Sequence, residues 1–243
     1  MSSRSLAPTA ISLLAIAAGC RSPGEFEGER ATTTAAMPST RGQRGFVDHG
    51  ATNESAPVLD DRASAAIGAP APDFELADIY GRIHRLSRYR GKIVVLEWFD
   101  PACPFVAYAY DAGPLLEMKQ RYAALGVVWL SIHSVASASA ALAQATDREF
   151  AAPRQLRTPI LVDHGGLVGR AFHARTTPHL FVINERGTLV YSGALDNAPL
   201  GRVERAAAKT NFVETAIDDL RSGHAVTTSS TRPYGSAINY SRE

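Results

Sequence analysis

Cysteine is scarce in this chain: only Cys20 and Cys103 occur among 243 residues. Their contexts are too unlike for the two to pair, so a disulfide framework is excluded. Charge of one sign is also missing. The formal net charge is +1, and without a long basic run nothing favours nucleic acid or an anionic membrane surface. His84, His133, His164, His173 and His179 share no metal-ligand spacing, and no glycine-rich loop is placed to cradle phosphate. No metal and no other cofactor is expected. Internal repeats are absent, and the apolar segment Ile11–Ala18 is too short to cross a bilayer as a helix. What remains is an ordinary globular composition, 45% hydrophobic and 20% charged. Pattern must therefore decide the rest.

The first twenty residues read as an address. Arg4 supplies a short positive region, Ile11–Ala18 an apolar stretch, and Ala17-Ala18-Gly19-Cys20 a run of small residues ending in cysteine. This run resembles a bacterial lipobox, with Ala17 where a larger apolar residue is usual. That resemblance implies cleavage before Cys20 and lipid attachment to its thiol, several acyl chains together giving stable anchoring. The alternative is a plain secretory signal. Either way the mature chain is expected outside the cytoplasm, as a lipid-anchored protein of a bacterial cell envelope facing the periplasm or exterior. Residues 20–65 are rich in Gly, Ser, Thr, Ala and charge, with no apolar periodicity. Such a segment cannot bury enough surface to offset its ordering entropy, and it is expected to be a flexible tether. The organisation predicted is thus 1–19 signal peptide, 20–65 tether, and 66–243 one domain with a polar tail.

Within that domain, Phe74-Glu75-Leu76 and Ile83-His84-Arg85-Leu86 alternate around Tyr80-Gly81 and predict a hairpin. The unbroken apolar run 92–99 predicts a buried central strand. Asp100-Pro101-Ala102 makes a turn, and a helix is predicted over 104–125, with Pro104 tolerated in its first turn. Strands follow at 127–132, 159–162, 179–183 and 188–191, the last two flanking an Asn184–Gly187 turn. Helices are expected at 139–150, 166–172 and 203–220. This order predicts an α/β fold: a mixed sheet covered by helices on both faces, preceded by a β-hairpin.

One constellation could carry chemistry. Cys103 stands where a buried strand turns into a helix. Unpaired N–H groups of a first helical turn and the positive end of the helix dipole favour an anion there. Both lower a thiol pKa, and the thiolate is the nucleophile. Glu97, six residues earlier and flanked by Leu96 and Trp98 in an apolar strand, is expected to be buried.

The segments Gly68–Leu76, Gly91–Trp98, Pro101–Val106 and Thr177–Ile183 resemble the redoxin branch of the thioredoxin-like superfamily, the group related to alkyl hydroperoxide reductase and thiol-specific antioxidant proteins. The resemblance runs from about Ile67 into the tail. It implies a thioredoxin-like sheet with an N-terminal hairpin extension. It implies that Glu97 lies near the sulfur and handles its proton, and that Pro178 is cis and lies beside the sulfur. Thr177, Pro178 and Pro104 would then shape a groove in which the backbone before Pro178 pairs with an extended substrate. Several departures qualify the activity. Val106 occupies the second position of a Cys-x-x-Cys, so no local disulfide can form. Ser236, read as a loop serine, stands where relatives carry a tail cysteine. Asp100 replaces a peroxidatic threonine, and no arginine is obviously placed for peroxide chemistry.

Two functions follow as expectations. The first is an envelope thiol-disulfide oxidoreductase-like protein using Cys103 alone. Its intermediate would be a mixed disulfide or a sulfenic acid, resolved by an external thiol, and its partners protein or small-molecule thiols and disulfides. The alternative is a redox-inactive binding module of the same fold, tethered to the membrane.

Overall fold

The computed structural model describes residues 58–59, 64–136, 139–203 and 208–240. These lie in one compact unit, residues 51–243. The expected signal peptide, Cys20 and almost all of the expected tether lie outside the described residues. Where that tether is described it differs from expectation. Val58–Leu59 form a strand, β1, in register with Glu75 and Phe74 of β2 (Phe74–Ala77). With β3 (Ile83–Arg85) they make a three-stranded sheet in the order β1-β2-β3. The turn joining β2 to β3 is held by Asp78, whose carboxylate accepts from the Tyr80 and Arg82 N–H groups and from the Arg82 guanidinium.

The main sheet has the order β6-β5-β4-β8-β9. Its members are β4 (Val94–Trp98), β5 (Val128–Val135), β6 (Ile160–His164), β8 (His179–Ile183) and β9 (Leu189–Gly193). β4 runs parallel to β5, and β5 to β6, while β8 is antiparallel to both β4 and β9. This is the thioredoxin-like mixed sheet with its hairpin extension. Every residue of β4 is buried, as a strand covered on both faces must be. Its alternation sorts the two cores. Ile93, Val95 and Phe99 pack with the helices α1 (Pro104–Asp111), α2 (Leu115–Ala124) and α5 (Phe212–Arg221). Val94, Leu96 and Trp98 pack with Phe74, Phe172 and Phe181 on the other face. By strand parity Glu97 belongs to the first face, among helices rather than water.

Two predicted helices are revised. The single helix over 104–125 is two, α1 and α2. Pro114 has no N–H to continue the ladder, and a Cβ on Gly113 would stand 2.9 Å from the Ala109 backbone, so the chain breaks there. Of the helix expected over 203–220, the described residues 203 and 208–211 are not helical, and α5 starts at Phe212. Before it, Asn197 donates to the Ala208 carbonyl and accepts from the Thr210 N–H. Asn211 then caps α5 by accepting from the Glu214 N–H at 3.0 Å. The remaining elements are α3 (Ala140–Ala151), α4 (Leu167–Ala171), the two-residue strand β7 (Thr176–Thr177) and a last strand, β10 (Ser236–Ala237). β10 lies in the polar tail, where the sequence pattern predicts no strand.

Candidate functional site

The site begins at the end of β4. The Asp100 carboxylate accepts from the Ala102 N–H at 2.8 Å, and its carbonyl accepts from the Cys103 N–H at 3.1 Å. This turn delivers Cys103 in an extended conformation (φ −77°, ψ 122°) to the N-cap of α1, with Pro104 as the first helical residue. The Cys103 carbonyl accepts the first helical bond, from Ala107 at 2.9 Å. From the opposite side comes β7. The Thr177–Pro178 bond is cis, and the Cys103 thiol donates to the Thr177 carbonyl at 2.8 Å. Cys103, Thr177, Pro178 and Pro104 are thus brought together, Pro104 exposed at the rim.

The sulfur is not open to solvent, contrary to what a nucleophile in an open groove requires: Cys103 is only 2% exposed. The cover is the chain's own tail. β10 pairs antiparallel with β7, Ser236 in register with Thr177 and Ala237 with Thr176. The Ile238 N–H donates to the Arg175 carbonyl at 3.0 Å. The Ser236 hydroxyl donates to the Cys103 sulfur at 3.0 Å. Ser236 is therefore part of the site rather than a loop serine, its hydroxyl set against the sulfur. Burial pushes the Cys103 thiol up. The Ser236 hydroxyl and the Val106 and Ser236 N–H groups pull it down, and the net displacement is below the ordinary value. Val106, at the position of a second cysteine, is fully buried in the helical core.

Glu97 is 0% exposed, as expected of its flanks. One carboxylate oxygen accepts from Tyr110 (3.1 Å), Trp129 Nε1 (2.9 Å) and Ser131 (3.1 Å), and pairs with the Lys119 ammonium at 2.6 Å. The other carboxylate oxygen is buried without a hydrogen-bond partner. None of these partners is Cys103, so the structure joins Glu97 first to Lys119. The ammonium also donates to Ser131 at 2.7 Å and to Tyr110. Burial lowers the Lys119 pKa despite the Glu97 charge beside it. Sequence reasoning missed Lys119, although a signal existed. Leu115, Met118, Lys119 and Tyr122 fall at i, i+3, i+4 and i+7, placing the lysine in a buried stripe.

A polar cavity of about 140 Å³ lies beyond Thr177, lined in part by Asp100, His133, Ser134, Ala237 and Asn239. His133 turns its Nδ1 to both oxygens of buried Asp147, at 2.9 and 3.1 Å. Burial raises the Asp147 pKa, against the lowering by His133. Among the described residues, no group of three or more His, Cys, Asp or Glu side chains is placed to hold a metal ion.

The profile of the AhpC/TSA family matches residues 67–192, more than half of the chain. The match takes in Glu97, Cys103, Thr177 and Pro178 and stops short of the tail. Thiol-disulfide oxidoreductase ResA of Geobacillus kaustophilus is 30% identical over 131 residues, covering 52% of this chain and 68% of that protein. The ResA of Geobacillus thermodenitrificans gives the same figures. Among solved structures, a hypothetical protein from Sinorhizobium meliloti superposes with a TM-score of 0.64 at 24% identity, covering 74% of this chain and 97% of that one. An uncharacterized conserved protein from Geobacillus kaustophilus gives 0.65 at 22%, covering 77% and 97%. Both structural likenesses are likenesses of fold.

Proposed function

Because this chain belongs to the AhpC/TSA family, we propose that it is a thiol-disulfide oxidoreductase-like protein whose single working sulfur is Cys103. The observation that carries the reading is a thiol at a helix N-cap, 2.8 Å from the carbonyl that precedes cis-Pro178, with its pKa held below that of an ordinary cysteine. The names of the two ResA relatives support it. In the forward step the Cys103 thiolate attacks one sulfur of a partner disulfide. A new S–S bond joins Cys103 to that sulfur, and the other sulfur leaves as a thiolate and takes a proton from solvent. With Val106 and Ser236 in place of cysteines, an external thiol must supply the second attack and release Cys103. A sulfenic-acid route needs a peroxide as oxidant: the thiolate takes one peroxide oxygen as water or an alcohol leaves, and an external thiol then condenses with the sulfenic acid, releasing water and leaving a mixed disulfide. Glu97 acts at a distance, as a buried charge balanced by Lys119. The protein would be lipid-anchored through Cys20 in a bacterial cell envelope.

The test is the pH–rate profile of iodoacetamide alkylation at Cys103, in the full chain carrying Cys20→Ala. The expected midpoint lies below about 8.5, the value of an unperturbed cysteine. A midpoint at or above it removes the basis of the reading. A second reading, a redox-inactive binding module on the same fold, draws on the 2% exposure of the sulfur. Under that reading the alkylation rate stays near zero at every pH and the groove binds without exchange.

A further inference from the structure

The tail segment Gly235–Asn239 does to β7 what a bound polypeptide would do. It adds antiparallel to Thr176–Thr177, the pairing edge that leads into cis-Pro178, and places a side-chain oxygen 3.0 Å from the reactive sulfur. Extended segments that bind by strand addition use this combination of main-chain pairing and one specific side chain. We propose that Gly235–Asn239 is a displaceable stand-in for substrate: it occupies the polypeptide-binding edge of the site, with Ser236 at the place of a partner's half-cystine, and must leave before such a partner reaches Cys103. The proposal rests on the thiol-disulfide reading above and adds to it a gate, made of the chain's own tail.

Two observations favour a removable occupant over a fixed wall. Apart from Ile238, which packs against the second core, the firm holds lie to either side of the segment. Tyr234 donates to Asp196 at 2.6 Å and packs its ring 5.9 Å from that of Phe105, while Tyr240 donates to the Ala174 carbonyl at 2.9 Å. Between them the ladder is two residue pairs long, with Ala237 and Asn239 exposed. A partner strand offers the same kind of bonds, so exchange replaces like with like, and the tail's advantage is only its high effective concentration.

Gly235 gives the means of testing this. Its φ is +134°, and a Cβ there would run into the Thr177 carbonyl oxygen. Gly235→Val therefore unseats the tail without deleting it; a chain ending at Tyr234 removes it. In the Cys20→Ala full-length background, iodoacetamide rates are taken to the high-pH plateau, where every thiol is ionised and the rate reports access alone. Both variants are expected to raise the plateau at least tenfold; an unchanged plateau in folded variants overturns the gate. Hydrogen exchange on the unaltered tail provides an arm independent of folding defects. The Ile238 N–H should exchange far ahead of the β8 amides, whereas exchange only with global unfolding overturns the proposal.

The substrate probe is a peptide copying residues 233–238 with cysteine in place of Ser236, carried as its mixed disulfide with 5-thio-2-nitrobenzoate. Attack by Cys103 on the peptide sulfur forms the protein–peptide disulfide and releases the yellow thiolate. Gly235→Val should release it at least tenfold faster than the parent chain. Equal rates overturn the gate and leave the thiol-disulfide reading standing. Faster alkylation of Gly235→Val without any disulfide exchange upholds the gate and overturns that reading.

Discussion

Replacing Lys119 with methionine keeps most of the side-chain stem and removes the charge. In the native chain the ammonium sits 2.6 Å from a Glu97 carboxylate oxygen, and both side chains are at most 2% exposed. Removing one partner of a buried pair costs about 3–5 kcal/mol, because the other charge is left without compensation. Here Tyr110, Trp129 and Ser131 still donate to Glu97, which places the expected loss near the lower end, about 3 kcal/mol. For a domain of this size that is a fall in Tm of roughly 6–12 °C. Thermal and urea melts of Lys119→Met at pH 7 measure it. The double variant Glu97→Gln, Lys119→Met removes both charges and should recover most of the loss. A single variant within about 1 kcal/mol of the parent, the range of an exposed pair, would refute the claim that these charges depend on each other. So would a double variant no more stable than the single one.

Two further predictions concern the site itself. Burial, aided by the Arg175 charge, depresses the His179 pKa from 6.5 to about 4. The unfolded chain therefore takes up a proton between pH 6.5 and 4 that the folded chain refuses. Stability should fall by about 3 kcal/mol across that window and level off below it. His179→Asn should remove this contribution and flatten the slope in urea melts run from pH 7 to 4, and an unchanged slope would place the acid sensitivity elsewhere. Ser236→Ala removes the hydroxyl that the seated tail donates to the Cys103 sulfur. The alkylation plateau at high pH should rise, because the closed thiolate loses a partner; a lower plateau would show that the hydroxyl activates the sulfur rather than holding the tail over it.

Much of the fold could be read from local pattern. The apolar run at 92–99 and the alternations at 74–76 and 83–86 became β4, β2 and β3 because a strand's burial is written at period two. The reach of 104–125 was overestimated because Gly113-Pro114 was passed over inside an otherwise apolar periodicity. The meeting of Cys103 and Pro104 with Thr177 and Pro178 was legible only through the family resemblance, because Cys103 and Thr177 stand 74 residues apart and no local pattern joins them. The tail was not legible. Its residues are polar, its strand is two residues long, and its partner β7 is some sixty residues earlier. No periodicity records a pairing that is satisfied by main-chain atoms alone. The Glu97–Lys119 pair was half legible, because burial of each residue is written in its own element while their meeting depends on how α2 lies on β4 and β5.

The most direct measurement is the intact mass of the Cys20→Ala, Gly235→Val chain after incubation with the peptide disulfide. The account predicts one peptide bound per chain at Cys103, released by reductant and absent from the same chain carrying Cys103→Ser. A folded chain that keeps its free thiol in excess disulfide, at pH values where that thiol is ionised, would contradict it.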